Sequence, residues 1–269
     1  EFVGYQATLP PGLEPGKLIP GVQGMTASPH AILVDGTGVR YMNEGGSYVA
    51  YCQGMQARHA EVPAIPSWAV FDEQYMGKYM LADTMPGTPK PQNWYDEGYL
   101  KKANSIEGLA ALIAVDPQVL RATIERFNGF ARSGVDEDFA RGESAYDKYY
   151  SDPTVKPNPS LGAIDQGPFY AVKIVPGDLG TKGGLVTDER ARVLRPDGSP
   201  IEGLYAAGNA SSAVMGHTYP GPGGTIGPAL VFGYLAADDI AGSSGGRAGT
   251  SASEERASRP HPNPESETV

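Results

Sequence analysis

The sequence predicts a mixed α+β / α/β fold, and three observations carry that reading. Short apolar runs of strand length, bounded by glycine, proline and aspartate, recur at residues 31–35, 67–71, 169–175 and 192–195. Between them, residues 116–130 repeat their apolar positions at helical spacing. Near the end of the chain an apolar run at 204–207 stops at Gly208, and a turn rich in glycine and proline then enters the apolar stretch 229–241.

Taken in order, residues 1–29 are dense in proline and glycine and read as an extended lead with little regular structure. Ala31-Ile-Leu-Val-Asp35 is a strand, Gly36-Thr-Gly38 a turn, and residues 39–42 its hairpin return. Ser67-Trp-Ala-Val-Phe71 is a second strand, followed by a short helix over 72–80. A helix over 105–114 carries Glu107 in its first turn. Residues 116–130 form the clearest helix: Asp116 caps it, Pro117 takes its first position, Leu120, Ile124 and Phe127 share one face, and Gly134 ends it. That helix pair is expected to act as a lid or cap with no chemistry of its own. Asp136, Glu137 and Asp138 read as a solvated acidic turn rather than a metal site.

From Gly167 onward strands return at 169–175, 184–187 and 192–195, the last closed by Pro196-Asp-Gly198. The run 204–207 is expected to be a buried strand that delivers its end to Gly208. In the turn after it, Gly221, Gly223, Gly224 and Gly227 let a backbone approach a ligand with no Cβ in the way. Thr225 is placed to cap the following helix, which is apolar nearly all round and so expected to be buried, its positive end aimed at whatever the turn holds. Residues 243–269, full of Ser, Gly, Pro and Glu, are expected to be disordered until they meet something.

Composition narrows the function. A net charge of −10 repels a nucleic-acid backbone or an anionic membrane surface. The single cysteine, Cys52, excludes an internal disulfide framework and suits a reducing cytoplasm. His30, His59, His217 and His261 show no metal-ligand spacing, so no metal site is expected. No strand leads into Gly-x-Gly-x-x-Gly, the turn that a dinucleotide's pyrophosphate needs.

The ordered series Arg40-Tyr-Met-Asn-Glu-Gly-Gly-Ser-Tyr48, Val135-Asp-Glu-Asp-Phe-Ala-Arg-Gly-Glu143, Gly183-Gly-Leu-Val-Thr-Asp188, Gly203-Leu-Tyr-Ala-Ala-Gly-Asn209 and Tyr219-Pro-Gly-Pro-Gly223 resembles the C-terminal half of the FAD-dependent 3-ketosteroid dehydrogenases. These lie within the fumarate reductase and succinate dehydrogenase flavoprotein group. The resemblance implies residues 30–165 as a substrate-binding cap inserted into a Rossmann-like FAD domain, and residues 166–242 as the C-terminal part of that FAD domain. The dinucleotide turn is expected from a separate polypeptide or a cleaved N-terminal piece, which makes a FAD-carrying second chain the expected partner.

Desaturating a ketone needs a polarised carbonyl oxygen, a base for the α-proton and a hydride acceptor. The Tyr219 hydroxyl and the Gly223 N–H lie on one turn and can converge on one oxygen. The resemblance gives them that role and makes Tyr48 the base, with its helper tyrosine in the part not present here. Gly224, Thr225, Ile226 and Gly227 are the expected flavin contacts at the helix N-terminus, Gly208 and Asn209 lie by the ribityl chain, and Gly183 and Gly184 pass the ring. His217 is expected to pack or bond locally. The loop 215–221 lacks the arginine that fumarate reductases use there as proton donor. Three rivals stay open: desaturation on the other side of the ketone, as in the 4-dehydrogenases of 5α-steroids; a non-steroidal ketone as substrate; and a non-catalytic half-protein that binds a partner.

Overall fold

A computed structural model describes residues 2–14 and 22–244. Its centre is an antiparallel sheet of five strands. In chain order the elements begin with β1 (Phe2–Ala7), α1 (Val22–Ala27), β2 (Ala31–Val34), α2 (Tyr48–His59), β3 (Ser67–Asp72), α3 (Glu73–Lys78) and α4 (Gln92–Asp96). They continue with β4 (Lys101–Ala103), α5 (Ile106–Ile113), α6 (Pro117–Ser133), α7 (Ala145–Tyr149) and the long β5 (Phe169–Thr181). A separate hairpin of β6 (Arg192–Leu194) and β7 (Pro200–Tyr205), a 3-10 turn (Gly208–Ala210) and α8 (Ile226–Ser244) complete the described chain.

The sheet runs β1-β5-β3-β2, with β4 on the start of β5. All of β2 and β3 is buried because helices cover both faces, which is why these strands read as unbroken apolar runs rather than alternating ones. Leu33, Phe71, Tyr170 and Val172 point to a core shared with Met55 of α2, Tyr75 of α3 and Trp94 of α4. Ile32, Val34, Val70 and Ala171 point the other way, to Leu109 and Ile113 of α5 and Leu120, Ile124 and Phe127 of α6. The caps behave as their residue types demand: the Ser105 and Asp116 side chains accept N–H groups at the starts of α5 and α6, and Gly134 ends α6 at φ 83°.

Several expectations need correction. The lead contains a strand and a helix: β1 pairs with the far end of β5, Tyr5 opposite Gly177 and Ala7 opposite Val175. Residues 1 and 15–21 of it lie outside the described residues. β5 pairs with β3 from Phe169 onward, so a division at residue 166 would cut the sheet. The hairpin return after β2 amounts to one bridge, Val34 to Arg40. Residues 184–187 make isolated bridges, Leu185 with Ser211 and Thr187 with Val193, rather than a strand. The helix pair is a wall of the sheet's core rather than a lid, and no residue of α5 or α6 lines the cavities beside Tyr219.

The acidic turn is not wholly solvated either. Asp136 is 2% exposed and accepts two hydrogen bonds from the Arg40 guanidinium, at 3.0 and 2.7 Å. Arg40 also forks onto Glu44 at 2.9 and 2.8 Å, and Arg141 reaches Glu44 at 3.0 Å. Two guanidinium groups and two carboxylates neutralise one another, so the charges can be buried. Glu137 stays exposed, and Asp138 pairs with Arg126 at the surface.

The C-terminal region departs furthest from expectation. The run 204–207, expected to be a buried strand, is buried only at Ala206; Leu204 is 42% exposed and Tyr205 and Ala207 are half-buried. On α8, Ile226, Leu230, Val231 and Tyr234 are 56–71% exposed, and Ala236 is its one buried apolar residue among those described. The helix is apolar as read, but the described residues hold no surface that covers it. The expected tail lies outside the described residues from 245 onward.

Candidate active site

Two long-range constraints bring Tyr48 into place. The Arg40–Glu44–Asp136–Arg141 cluster ties residues 40–44 to residues 136–141, joining two segments that the sequence keeps almost a hundred residues apart. Ser47 then caps α2, its side chain accepting the Ala50 N–H, and Tyr48 opens the helix. At the other end Arg58 binds the buried Asp35 carboxylate at 2.9 Å and fixes α2 against the turn after β2. The missed signal for this helix is Ser47 itself, a cap residue before twelve residues without proline.

Tyr48 is 4% exposed. Its ring centroid lies 5.0 Å from that of Tyr5 and 5.5 Å from that of Tyr219. Burial pushes the Tyr48 phenol well above its ordinary value, and a hydrogen bond with Tyr219 and the nearby Tyr219, Tyr146 and Tyr5 phenols push the same way. The structure therefore brings two of the predicted residues together, Tyr48 and Tyr219. It adds Tyr5 and Tyr146, which sequence reading passed over. Tyr5 fell in the supposed lead, and Tyr146 lies within the Ser144–Asp147 capping box that opens α7.

The glycine turn is shaped by these rings. A Cβ on Gly224 would lie 3.0 Å from Tyr219 Cε2, and one on Gly221, at φ 118°, would lie 3.1 Å from Tyr146 Cε2. Gly223 is exposed at φ 92° and its carbonyl accepts the Gly227 N–H at 2.9 Å. Among the described residues, the N–H groups of Gly223, Thr225 and Ile226 donate to no carbonyl outside α8. Three open donors thus cluster where α8 begins, the arrangement that receives a negatively polarised oxygen.

Beside Tyr219 opens a cavity of about 280 Å³ lined by Lys182, Gly208, Asn209, Gly224, Thr225 and Phe232 among others. Gly208, at φ 63°, sits so close to α8 that its Cβ would meet the Ala229 Cβ at 3.0 Å. Gly184 has its backbone against Ala210, where any Cβ would collide with the carbonyl. Gly183, Gly184, Gly223, Ile226 and Gly227 do not line this cavity, although they belong to the turns around it. His217 lines a different, smaller cavity with Cys52 and Gln53. Cys52 is buried and its thiol is pushed up to about 12 by that burial, which makes it unreactive. No described helix is long and apolar enough to cross a membrane.

Comparison with known proteins identifies the family. A family model described as FAD binding domain matches residues 5–226. The 3-oxosteroid 1-dehydrogenase of Mycolicibacterium smegmatis is 58% identical over 219 residues, covering 80% of this chain and 38% of that protein. The 4-oxocyclohexanecarboxylate 2-dehydrogenase of Sinomonas cyclohexanicum is 43% identical over 222 residues, covering 81% and 38% respectively. The crystal structure of 3-ketosteroid delta1-dehydrogenase from Sterolibacterium denitrificans, in complex with 1,4-androstadiene-3,17-dione, superposes with a TM-score of 0.84 at 39% identity. That match covers 90% of this chain and 43% of the other. The chain spans about two fifths of the length of these relatives. With most of its length matched by that family and its fold shared with a solved ketosteroid enzyme, the chain belongs to the FAD binding domain family.

Proposed function

We propose that this chain is the substrate-binding, C-terminal part of a FAD-dependent dehydrogenase that introduces a C=C bond beside a ring ketone of 3-ketosteroid type. One observation carries the reading: the buried Tyr48 phenol meets Tyr219 on the turn whose Gly223, Thr225 and Ile226 N–H groups stand open. The residues fit FAD, because the same open donors and the close-set Gly208 and Gly224 leave backbone without side chains at the start of α8. Gly208, Asn209, Gly224, Thr225, Ile226 and Gly227 would hold it, with Gly183 and Gly184 alongside. When bound, FAD supplies the acceptor for the hydride lost from the substrate's β-carbon.

The chain's own residues do the rest. The Tyr219 hydroxyl and Gly223 N–H donate to the ketone oxygen and favour the charge that grows on it as the α-proton leaves. Tyr48 takes that proton at its phenolic oxygen. Burial beside other phenols works against this role, since it keeps the hydroxyl protonated. A further donor or positive potential must ease it, and we assign that help to the FAD-carrying partner, a second polypeptide or a cleaved piece. The exposed apolar residues of α8 support such a companion. Cytoplasmic residence rests on the single buried thiol of Cys52.

The test is turnover of 4-androstene-3,17-dione by the assembled, FAD-containing protein with an artificial electron acceptor. Tyr48→Phe should lower the rate by about a hundredfold to ten-thousandfold while flavin absorbance and steroid binding persist. Near-native turnover in that variant sinks the assignment. Desaturation on the other side of the ketone, or preference for a small cyclic ketone, would move the reading to its neighbours; the 43% identity to a protein named for an oxocyclohexane substrate makes the second the stronger rival.

A further inference from the structure

Lys182 takes part in none of the steps above, yet it is 4% exposed and lines the cavity that Tyr219 also lines. Its ammonium donates to the carbonyls of Gly216 at 3.2 Å and Thr218 at 3.3 Å. Its own carbonyl accepts the Ala213 N–H at 3.0 Å. One residue thus holds three points along 213–218, and Thr218 is bonded directly to Tyr219.

The other hydrogen bonds of this loop are mostly local. Gly216 N–H donates to Ala213, and the Thr218 N–H and hydroxyl both donate to Met215. Those bonds curl the loop without attaching it to the body of the protein. A further tether is a 3.5 Å bond from the Gln53 side chain to the His217 carbonyl, at the edge of hydrogen-bond range. The ammonium makes two bonds to this loop, both shorter than the Gln53 bond and both from a cation, so it is the stronger attachment. Gly216, at φ 59°, and the exposed run 216–218 have little packing to replace it.

We propose that Lys182 is a positioning residue: its ammonium clamps the Gly216 and Thr218 carbonyls and so sets the Tyr219 hydroxyl for the ketone oxygen. The catalytic half of this statement rests on the function proposed above; the clamp itself does not.

The experiment compares Lys182→Met and Lys182→Arg with the native, FAD-loaded assembly, measuring amide hydrogen exchange and steady-state kinetics on 4-androstene-3,17-dione. Lys182→Met removes the donors and keeps most of the stem. It should speed exchange across 213–219 by about tenfold and leave β3 unchanged. It should lower kcat by about tenfold to a hundredfold, the scale of a misplaced reacting group, and change KM much less. Lys182→Arg, which restores a long cation with donors, should recover most of both. Three results overturn the proposal: exchange and kcat both near native in the Met variant, a fall in kcat with exchange unchanged, or equal damage in both variants extending into β3. If the native assembly turns over no ketone, the proposed function fails, and the exchange comparison still decides whether Lys182 holds the loop.

Discussion

Strand β3 and helix α8 are both apolar, but β3 buries all six of its residues and α8 leaves Leu230 and Tyr234 about seventy per cent exposed. The difference lies in what each packs against. Helices within the chain cover both faces of the sheet, so that region is closed by its own residues. The segment from β6 onward, by contrast, touches the body through the Gly208–Ala210 turn, through bonds at 182–185 and through Tyr219 and Gly221 against Tyr48 and Tyr146, and leaves the outer side of α8 uncovered among the described residues. An exposed apolar patch of this kind is what the proposed FAD-carrying companion would cover. The tyrosine site lies on the seam: Tyr48 comes from the closed region and Tyr219 from the open one.

The largest expected effect tests whether the closed region stands on its own. Glu44→Gln leaves Arg40 and Arg141 facing each other with one carboxylate fewer, at a cost of about 3 to 5 kcal/mol, or a Tm lower by on the order of 10 °C. Acid should act in the same place. Burial alone would raise the Glu44 carboxyl, but Arg40 and Arg141 outweigh it and hold the group below its ordinary 4.5; Arg40 likewise holds Asp136 below 3.8. Both folded values are depressed, so their contribution is present above those ordinary values and lost as pH falls through the lower folded ones. Unfolding followed by circular dichroism from pH 6 to 2 should steepen below about pH 4.5 in the native chain and flatten in Glu44→Gln. Equal acid sensitivity in the two proteins would deny the cluster this role.

The next effects probe the seam. On the proposed function, Tyr219→Phe removes the hydroxyl assigned to the ketone oxygen and should raise the barrier by about 3 to 4 kcal/mol with little change in Tm. A Tm drop as large as that of Glu44→Gln would mean that Tyr219 serves the fold rather than the site. Gly224→Ala puts a methyl 3.0 Å from both the Tyr219 ring and the Gly221 carbonyl. Since the carbonyl cannot give way, the ring must tilt, and kcat per bound flavin should fall by about tenfold. Unchanged kcat would show that the ring's angle against this turn is unimportant.

The closed region was largely legible because its signals are local. Asp116-Pro117 and Gly134 mark both ends of α6, and Ser67 to Phe71 reads as a strand wherever it pairs. β1 was not legible: Phe2–Ala7 is a strand only because β5 runs on to Thr181 to meet it, a pairing set by residues more than 160 positions away. The burial of Asp136 was hidden for the same reason, its partner Arg40 lying 96 residues earlier. Tyr48 and Tyr219 were singled out through family resemblance, and their ring contact is a finding of the structure. The misreading of α8 has a different cause. Its apolar surface led to the expectation of burial, but among the described residues nothing packs on Ile226, Leu230, Val231 and Tyr234, which stay 56–71% exposed, because composition alone does not say whether an apolar helix finds a neighbour.

That last point yields the smallest effect on this chain and the sharpest use of the comparison. Leu230 is 69% exposed on α8, so Leu230→Asp removes almost no contact within the chain and should change its stability by less than about 0.5 kcal/mol. In β3 the same kind of change, Val70→Asp, buries an unpaired carboxylate at a fully enclosed position and should unfold the protein. If α8 meets the FAD-carrying partner, Leu230→Asp should weaken co-purification of flavin and the second polypeptide, because a charge would then be desolvated at the centre of an apolar contact. Retention of both would put the partner's contact elsewhere on the molecule, and a large loss of stability in the isolated chain would mean that α8 is already covered.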